Sequence, residues 1–532
     1  MNRAISSIGP FPKPLAATAT SPEHRSPNRH VRWTCCYAAI VLALCPGQGL
    51  AAVPNPAGQR VYEQQCAACH GATGNGNGPA TVWLFPHPRD FTSGLFKIQS
   101  TPPGSMPTDD DLFQTITRGM PGSSMPSFAY LVEQDRRDVA QYVKWLTATV
   151  DASGRRANKF DQALAQPPLV VPPEPIPTVD SLVQGKEIYT KLGCVACHGE
   201  HGQGNGLSAA TLKDNWGMPL PPRDFTIGAF RGGAEGRDLY LRIANGLAGT
   251  PMPPFDDAVL KPEDRWAVIH YIQSLRRKEA EVHDILRPQD LTIVAHRVRK
   301  LTDGPADPAW EKLDPVRVPL NPLWPEPYPI AAVAIAAVHD GRRIAILAQW
   351  KDPILNGAPI RVQDFQDGMA IQFALGATPA FLGMGDAENP VNLWYWRAGW
   401  QQEIDGPRPD MDARYASMHV DTYFTNQFRT AADAGNVLAT PKKSPVEEAN
   451  ARGFGTLKSQ PASEQDVEGK GIWRDEFWNV MFARELRASS ADDVKFTTKQ
   501  PVPMAFAVWN GEQHDRDGRK VISNWYQLVL EP

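Results

Sequence analysis

The stretch GQRVYEQQCAACHG, residues 58–71, returns as GKEIYTKLGCVACHG, residues 185–199, and each copy closes on CxxCH. Two thiols three positions apart, followed at once by an imidazole, suit one porphyrin. The thiols reach its two vinyl groups and the histidine meets the iron from the same side. A structural zinc site would want two further thiol or imidazole ligands at similar spacing. Cys66, Cys69, Cys194 and Cys197 therefore read as attachment points for two covalent c haems, with His70 and His198 as iron ligands.

The repeat runs well beyond the motif. PRDFT occurs at 88–92 and again at 222–226, and ITRGMPGSSMPSF (116–128) aligns without gaps on IANGLAGTPMPPF (243–255). Val139, Tyr142, Val143 and Leu146 match Val268, Tyr271, Ile272 and Leu275, which is i, i+3, i+4, i+7 spacing and predicts one apolar face of a helix. The alignment also selects a sixth ligand. Met120 falls opposite Leu247 and Met106 has no methionine counterpart, whereas Met125 matches Met252, 55 and 54 residues after the respective histidines. These two stretches, roughly 54–150 and 178–280, resemble class I cytochromes c, which place the distal methionine in such a loop before the last helix. Thioether ligation raises the potential relative to two histidines. Arg89 and Arg223 of the PRDFT copies either hydrogen-bond haem propionates or pair with Asp90 and Asp224 to hold the loop. His87 and His201 are unmatched between the copies and read as surface residues.

At 532 residues, with 42% hydrophobic and 21% charged residues, the chain can form several cores. Net charge is −4; the first 32 residues carry five basic residues against Glu23, and without them the remainder stands at −8. An acidic chain suits basic protein partners rather than nucleic acid. The basic run leads into WTCCYAAIVLALC (33–45) and then small residues, which predicts a secretory signal over 1–52, cleaved near Ala51 or Ala52, and a periplasmic protein. Thirteen apolar residues are too few to span a bilayer, so no transmembrane segment is expected in the mature chain. Three of the seven cysteines fall in that signal and the other four in CxxCH, leaving none for a disulfide.

A first cytochrome module over 53–150, a Pro-rich linker over 151–179 and a second module over 180–280 follow the signal. Within the linker, QPPLVVPPEPIPT (166–178) is stiff and extended, and LRRKEAEVHDILR (275–287) is a short charged helix leading onward. Residues 290–532 have another texture. Ten of fifteen tryptophans fall between Trp310 and Trp525, and short alternating runs are parted by turn signals, such as the hairpin AAVAIAAVHDGRRIAILAQW (331–350) over Asp340-Gly341. DGMAIQFAL (367–375), NPVNLWYWRAGWQ (389–401), EFWNVMFAREL (476–486) and the closing 503–531 are further strands, and 406–470 reads as a long polar insertion. The fold class is multidomain: two all-α cytochrome c domains followed by an all-β, sandwich-like haem-binding domain.

The stretches FLGMGDAENPVNLWYWRAGW (381–400), GIWRDEFWNVMFAREL (471–486) and AFAVWNGEQHDRDGRKVISNWYQL (505–528) make residues 290–532 similar to the haem-binding γ subunit of ethylbenzene dehydrogenase. Relatives are the γ subunits of dimethylsulfide dehydrogenase and of selenate and chlorate reductases. The resemblance implies a non-covalent b haem held by a methionine–lysine pair, here Met384 of LGMG and Lys520 of DGRK. A lysine amine ligates iron only when deprotonated, which requires a dry pocket. Read without the resemblance, Lys520 is a solvated turn residue and Met384 core; rival ligands are His339, His419, His514 and Met418. The resemblance further implies a three-haem electron-transfer subunit, with a molybdenum enzyme α subunit and an iron–sulfur β subunit on one side. A soluble cytochrome or a terminal oxidase stands on the other, and a nitrite oxidoreductase-like assembly is the favoured version. No nucleophile or base constellation appears in the sequence. The alternative is a dihaem c enzyme, of peroxidase or thiosulfate dehydrogenase type, with a haem-free β docking domain; it needs one haem with an open sixth position.

Overall fold

The computed structural model describes residues 55–150, 156–163, 166–277, 291–326, 329–376, 378–406, 415, 417, 442–488 and 490–532. The expected signal, the rival ligands Met418 and His419, and the charged stretch after Arg277 lie outside them.

Module 1 opens with α1 (Pro56–Gln65). Asn55 caps it by accepting from the Gly58 N–H at 2.8 Å, and Pro56 occupies the first turn, where no intrahelical partner awaits its nitrogen. α2 (Asp109–Arg118) starts on a capping box of Thr108 and Asp111. α3 (Glu133–Leu146) buries Val139, Tyr142, Val143 and Leu146, the face expected from their spacing. Module 2 repeats the set as α4 (Val179–Lys191), α5 (Gly236–Asn245) and α6 (Pro262–Ser274), with Leu275 just past the last helix. The matched glycines explain how the first and last helices of each module cross. A Cβ on Gly58 would lie 2.1 Å from the Asp138 carbonyl oxygen, and one on Gly185 2.0 Å from that of Ala267. Only glycine lets the two backbones meet so closely.

The Pro-rich connector is extended and fastened at both sides. The Leu169 N–H donates to the Ser100 carbonyl at 2.8 Å, while Leu169 and Val171 pack on the core of module 2. The modules keep separate cores but also touch directly, Arg242 Nη2 and Asn245 Nδ2 both donating to the Gln99 carbonyl at 2.6 and 3.1 Å.

The third domain has ten main strands: β1 (Thr292–Arg297), β2 (Ala332–His339), β3 (Arg343–Lys351), β4 (Gly368–Ala374), β5 (Val391–Arg397), β6 (Val446–Ala451), β7 (Glu468–Arg474), β8 (Phe477–Glu485), β9 (Val502–Trp509) and β10 (Tyr526–Leu530). They form one sheet in the order β6–β5–β4–β9–β10–β1–β2–β3–β8–β7, with β1 parallel to both neighbours. The β2–β3 hairpin turns on Gly341, at φ +88°, with the Asp340 carboxylate accepting from the N–H groups of Arg342 and Arg343. Strands remote in the order meet face to face: Trp396 of β5 lies 4.7 Å from Trp478 of β8 and 6.2 Å from Trp350 of β3. The sheet therefore folds back on itself around a tryptophan-rich core, giving the sandwich character expected.

Two local readings need correction. RAGWQQEID leaves β5 as a helix, Ala398–Asp405, rather than continuing the strand. The span 406–470 is not all insertion, because Val446–Ala451 is β6, paired along its length with β5. Its polar letters concealed it: Glu448 is fully buried, 3.3 Å from the equally buried Arg484 of β8, so a charged residue here faces the core.

Module 1 docks on the β domain. The Phe85 N–H donates to the Leu323 carbonyl at 3.0 Å, Phe85 stacks on Trp324 at 5.9 Å, the Ser127 N–H donates to Asn524 Oδ1 at 3.0 Å, and Ala129 joins the β-domain core. Among the described residues, every hydrogen bond between a cytochrome module and the β domain is made by module 1. No helix among them is long and apolar enough to cross a membrane.

Candidate haem sites

Each CxxCH lies at the start of a short helical turn that follows the first helix of its module, Ala67–His70 in one and Cys194–His198 in the other. The turn is pinned by a tyrosine from that helix, Tyr62 Oη donating to the Gly71 carbonyl at 2.7 Å and Tyr189 Oη to that of Gly199 at 2.8 Å. PRDFT then orients the imidazole. His70 Nδ1 lies 2.9 Å from the Arg89 carbonyl oxygen and His198 Nδ1 3.1 Å from that of Arg223, which leaves Nε2 for iron. Phe91 and Phe225 stack on the two rings at 4.5 and 4.4 Å. Burial pulls the His70 imidazole down to about 4, lowers that of His198 likewise, and pushes the Cys66 and Cys69 thiols up to about 12. The ring is thus neutral at physiological pH, the form that ligates a metal.

The methionine loops of the two modules match bond for bond. The Met120 N–H donates to the Met125 carbonyl at 3.0 Å and the Leu247 N–H to that of Met252 at 3.1 Å; the N–H groups of Met125 and Met252 in turn donate to Ser123 Oγ and Thr250 Oγ1 at 3.3 and 3.2 Å. In module 1, Cys66, Cys69, His70 and Met125 line one cavity of about 710 Å³. Met120 lines it too, while Met106 packs on the helical core. His87 was expected at the surface; it is half-buried on the cavity wall, its Nδ1 3.0 Å from the Pro88 carbonyl, whereas His201 is exposed. Asp90 does not hold Arg89: its Oδ1 accepts from the Thr92 N–H and Oγ1 at 2.8 and 2.6 Å, and Asp224 serves Thr226 in the same way.

The same cavity extends over the β domain, where Met384 and Lys520 line it together. Its floor is the outer face of β4, β5 and β9. Along these strands Met369, Ile371, Phe373, Trp394, Trp396, Phe506 and Val508 point into the sandwich. Their alternates Ala370, Gln372, Leu393, Tyr395, Ala505, Ala507 and Trp509 face the cavity. The pocket is therefore not inside the sandwich but between its outer face and module 1. Three alanines at alternate positions leave the depression, a signal present in the sequence and missed because the flanking tryptophans drew the reading to the core.

Met384 sits at φ +75°, a strained conformation for a side chain of this size, in a tight turn closed by the Gly385 N–H on the Phe381 carbonyl at 2.9 Å. Lys520 turns inward while Arg519 points to solvent. Its Nζ lies 4.7 Å from the Trp509 ring, and burial pulls its ammonium down to about 8 against the opposing pull of Asp517. It is half-buried because one side looks into the cavity. A thioether and a readily deprotonated amine on one apolar cavity fit a haem iron. The described rivals lie elsewhere: His339 is held by the Glu531 carbonyl at 2.8 Å on β2, and His514 is exposed beside Phe365.

Comparison with known proteins finds a family model in each of three parts of the chain. Residues 307–521 match the family model for ethylbenzene dehydrogenase, 54–143 that for cbb3-type cytochrome c oxidase subunit III, and 182–276 that for cytochrome c. The γ subunit of chlorate reductase from Ideonella dechloratans is 27% identical, over 42% of this chain and 78% of its own length. The γ subunit of dimethylsulfide dehydrogenase from Rhodovulum sulfidophilum is 28% identical, over 44% and 81%. Among solved structures, a chain of a reducing HAO-like protein complex of Kuenenia stuttgartiensis is 39% identical, over 42% of this chain and 96% of that one, at a TM-score of 0.39.

Proposed function

Two cytochrome c domains joined to an ethylbenzene dehydrogenase-type domain make up this chain, and we propose that it is the periplasmic three-haem electron-transfer subunit of a molybdenum oxidoreductase. The observation that carries this reading is the shared cavity. Met384 and Lys520 line one part of it, and Cys66, Cys69, His70 and Met125 line another. The pair Met384 and Lys520 would hold a b haem, His70 with Met125 and His198 with Met252 the irons of two c haems. When bound, these groups supply one-electron redox chemistry. The chain's own residues hold the imidazoles neutral and lower the Lys520 ammonium by burial, and module 1 touches both the β domain and module 2.

The β domain would face an iron–sulfur β subunit and its molybdenum α subunit, and module 2 a soluble cytochrome or oxidase. Of such assemblies, a nitrite oxidoreductase-like one is the version adopted. The dihaem-enzyme alternative is disfavoured by the two equivalent methionine loops, which offer both c irons a sixth ligand.

The test is haem stoichiometry. Acidified acetone extracts non-covalent haem and leaves thioether-bound haem on the protein, and pyridine haemochrome spectra count both. Two c haems to one b are expected, with Lys520→Ala losing the b haem and keeping both c. Two c and no b, in protein made with ample haem, would remove the β-domain site. In the native complex, nitrite should reduce the c haems; reduction by another substrate but not by nitrite would sink that version alone.

A further inference from the structure

The two cytochrome modules meet through equivalent residues used reciprocally. Arg223 of module 2 reaches the methionine loop of module 1, donating from Nη1 to the Gly122 carbonyl at 3.3 Å. A Cβ on Gly122, at φ +69°, would lie 2.2 Å from Arg223 Nη2. Arg89 of module 1, the counterpart of Arg223, reaches the methionine loop of module 2. A Cβ on Gly249, the counterpart of Gly122 at φ +75°, would lie 2.9 Å from Arg89 Nη1. The repeat-equivalent contacts are what a two-fold pairing of one ancestral surface produces.

A second matched pair stands beside the first. Lys97 and Arg231 fall at the same place after PRDFT, and Lys97 lies within electrostatic reach of both Arg89 and Arg231, as Arg231 does of Arg223. Four cations therefore converge on one seam. Three of their donor atoms, Arg89 Nη1, Arg223 Nη2 and Arg231 Nε, are fully buried with no hydrogen-bond partner. Buried guanidinium donors left open are costly, and a carboxylate is the group whose geometry they match. The neighbouring acids make their hydrogen bonds elsewhere, Asp90 and Asp224 to their threonines and Asp214 to the N–H groups of Trp216 and Met218, both at 3.0 Å; Asp214 supplies the cations with a counter-charge but no hydrogen bond. Arg89 and Lys97 also line the haem cavity of module 1.

We propose that Arg89, Lys97, Arg223 and Arg231 form one carboxylate seat shared by the modules, which receives the propionates of both c haems. Two haems bring four propionates, matching four cations. Each cation then acts on the iron of both modules, so the two c centres are electrostatically coupled. This rests on the c-haem reading but not on the b haem or the partner.

The test is a redox titration of the full-length holoprotein, preceded by a count of covalent haem. Arg89→Gln and Arg223→Gln are each expected to keep two c haems and to lower the midpoint of both, not one. A cation removed at about 10 Å with an effective dielectric near 20 is worth roughly tenfold in the reduction equilibrium, and tenfold is about 59 mV for one electron. Arg89→Lys should restore most of the shift, and the exposed Arg60→Gln should produce none. Midpoints unchanged in Arg89→Gln, or a shift confined to the module bearing the substitution, would overturn the shared seat. So would wild-type midpoints that follow added chloride or phosphate, since the seat would then hold a mobile anion. Wild-type protein without two covalent haems would instead overturn the c-haem reading itself.

Discussion

Met384 is where backbone and ligand arguments can be separated. Its φ of +75° costs of order 1–3 kcal/mol for a non-glycine residue. Glycine would adopt that conformation freely, so Met384→Gly should leave the fold at least as resistant to urea while altering the ligation spectrum of the b haem. If it destabilises the domain and leaves that spectrum unchanged, Met384 is core and the strained turn serves packing. The thioether could be nominated from LGMG only through resemblance, because nothing in four letters shows a positive φ on the methionine. The proposed c-haem residues could be nominated for the opposite reason: CxxCH fixes three chemical groups within one turn, and the repeat then favours Met125 over Met120 and Met106. Lys97 and Arg231 were equally available, five residues past the end of PRDFT, but they match by charge rather than by letter.

The β elements carry a pH argument of their own. At the end of β3 and just before β4, Asp352 and Asp367 are buried together, and burial pushes both carboxyls above the ordinary range, with mutual repulsion adding to it at Asp352. Asp367 is the better solvated by protein, accepting from Gly511 N–H, Asn356 N–H and Trp478 Nε1 at 3.0, 2.8 and 3.0 Å, while Asp352 Oδ2 has no partner. The folded chain therefore keeps a proton that the unfolded chain releases above about pH 4. Stability must fall as pH rises from there to about 7, where Asp352 titrates in the fold. Asp352→Asn should flatten this slope and raise the melting temperature at pH 8 relative to wild type. A slope unchanged by the substitution would place the proton elsewhere. Strands β2 to β5 and β8 to β10 could be read from short apolar, tryptophan-bearing runs parted by turn signals, because both of their faces are covered by apolar contacts. β6 could not, since VEEANA buries Glu448 against Arg484 and presents the letters of a loop.

At the scale of the molecule, the cavity has two owners, and that arrangement is invisible to a reading that treats each domain by itself. The sequence separates the cytochromes from the β region cleanly, yet the β4–β5–β9 face that bears Tyr395 and Trp509 is closed by module 1. Asn524 is a hinge pin of that closure: it is buried, and its Oδ1 accepts from the Ser127 N–H, which sits two residues past Met125. Asn524→Ala removes the acceptor and leaves a buried N–H unsatisfied, a loss of about 1–3 kcal/mol. Neither the thioether sites nor Met384 and Lys520 are touched, so both c haems should remain and the b haem should still bind. What should change is how long it stays. If module 1 is the lid of the b site, a looser dock opens the pocket more often, and transfer of b haem to excess apomyoglobin should quicken by roughly fivefold or more, the factor equivalent to 1 kcal/mol. An unchanged transfer rate would mean that the β domain retains its haem without the cytochrome, and the contiguous cavity would then have no part in holding it.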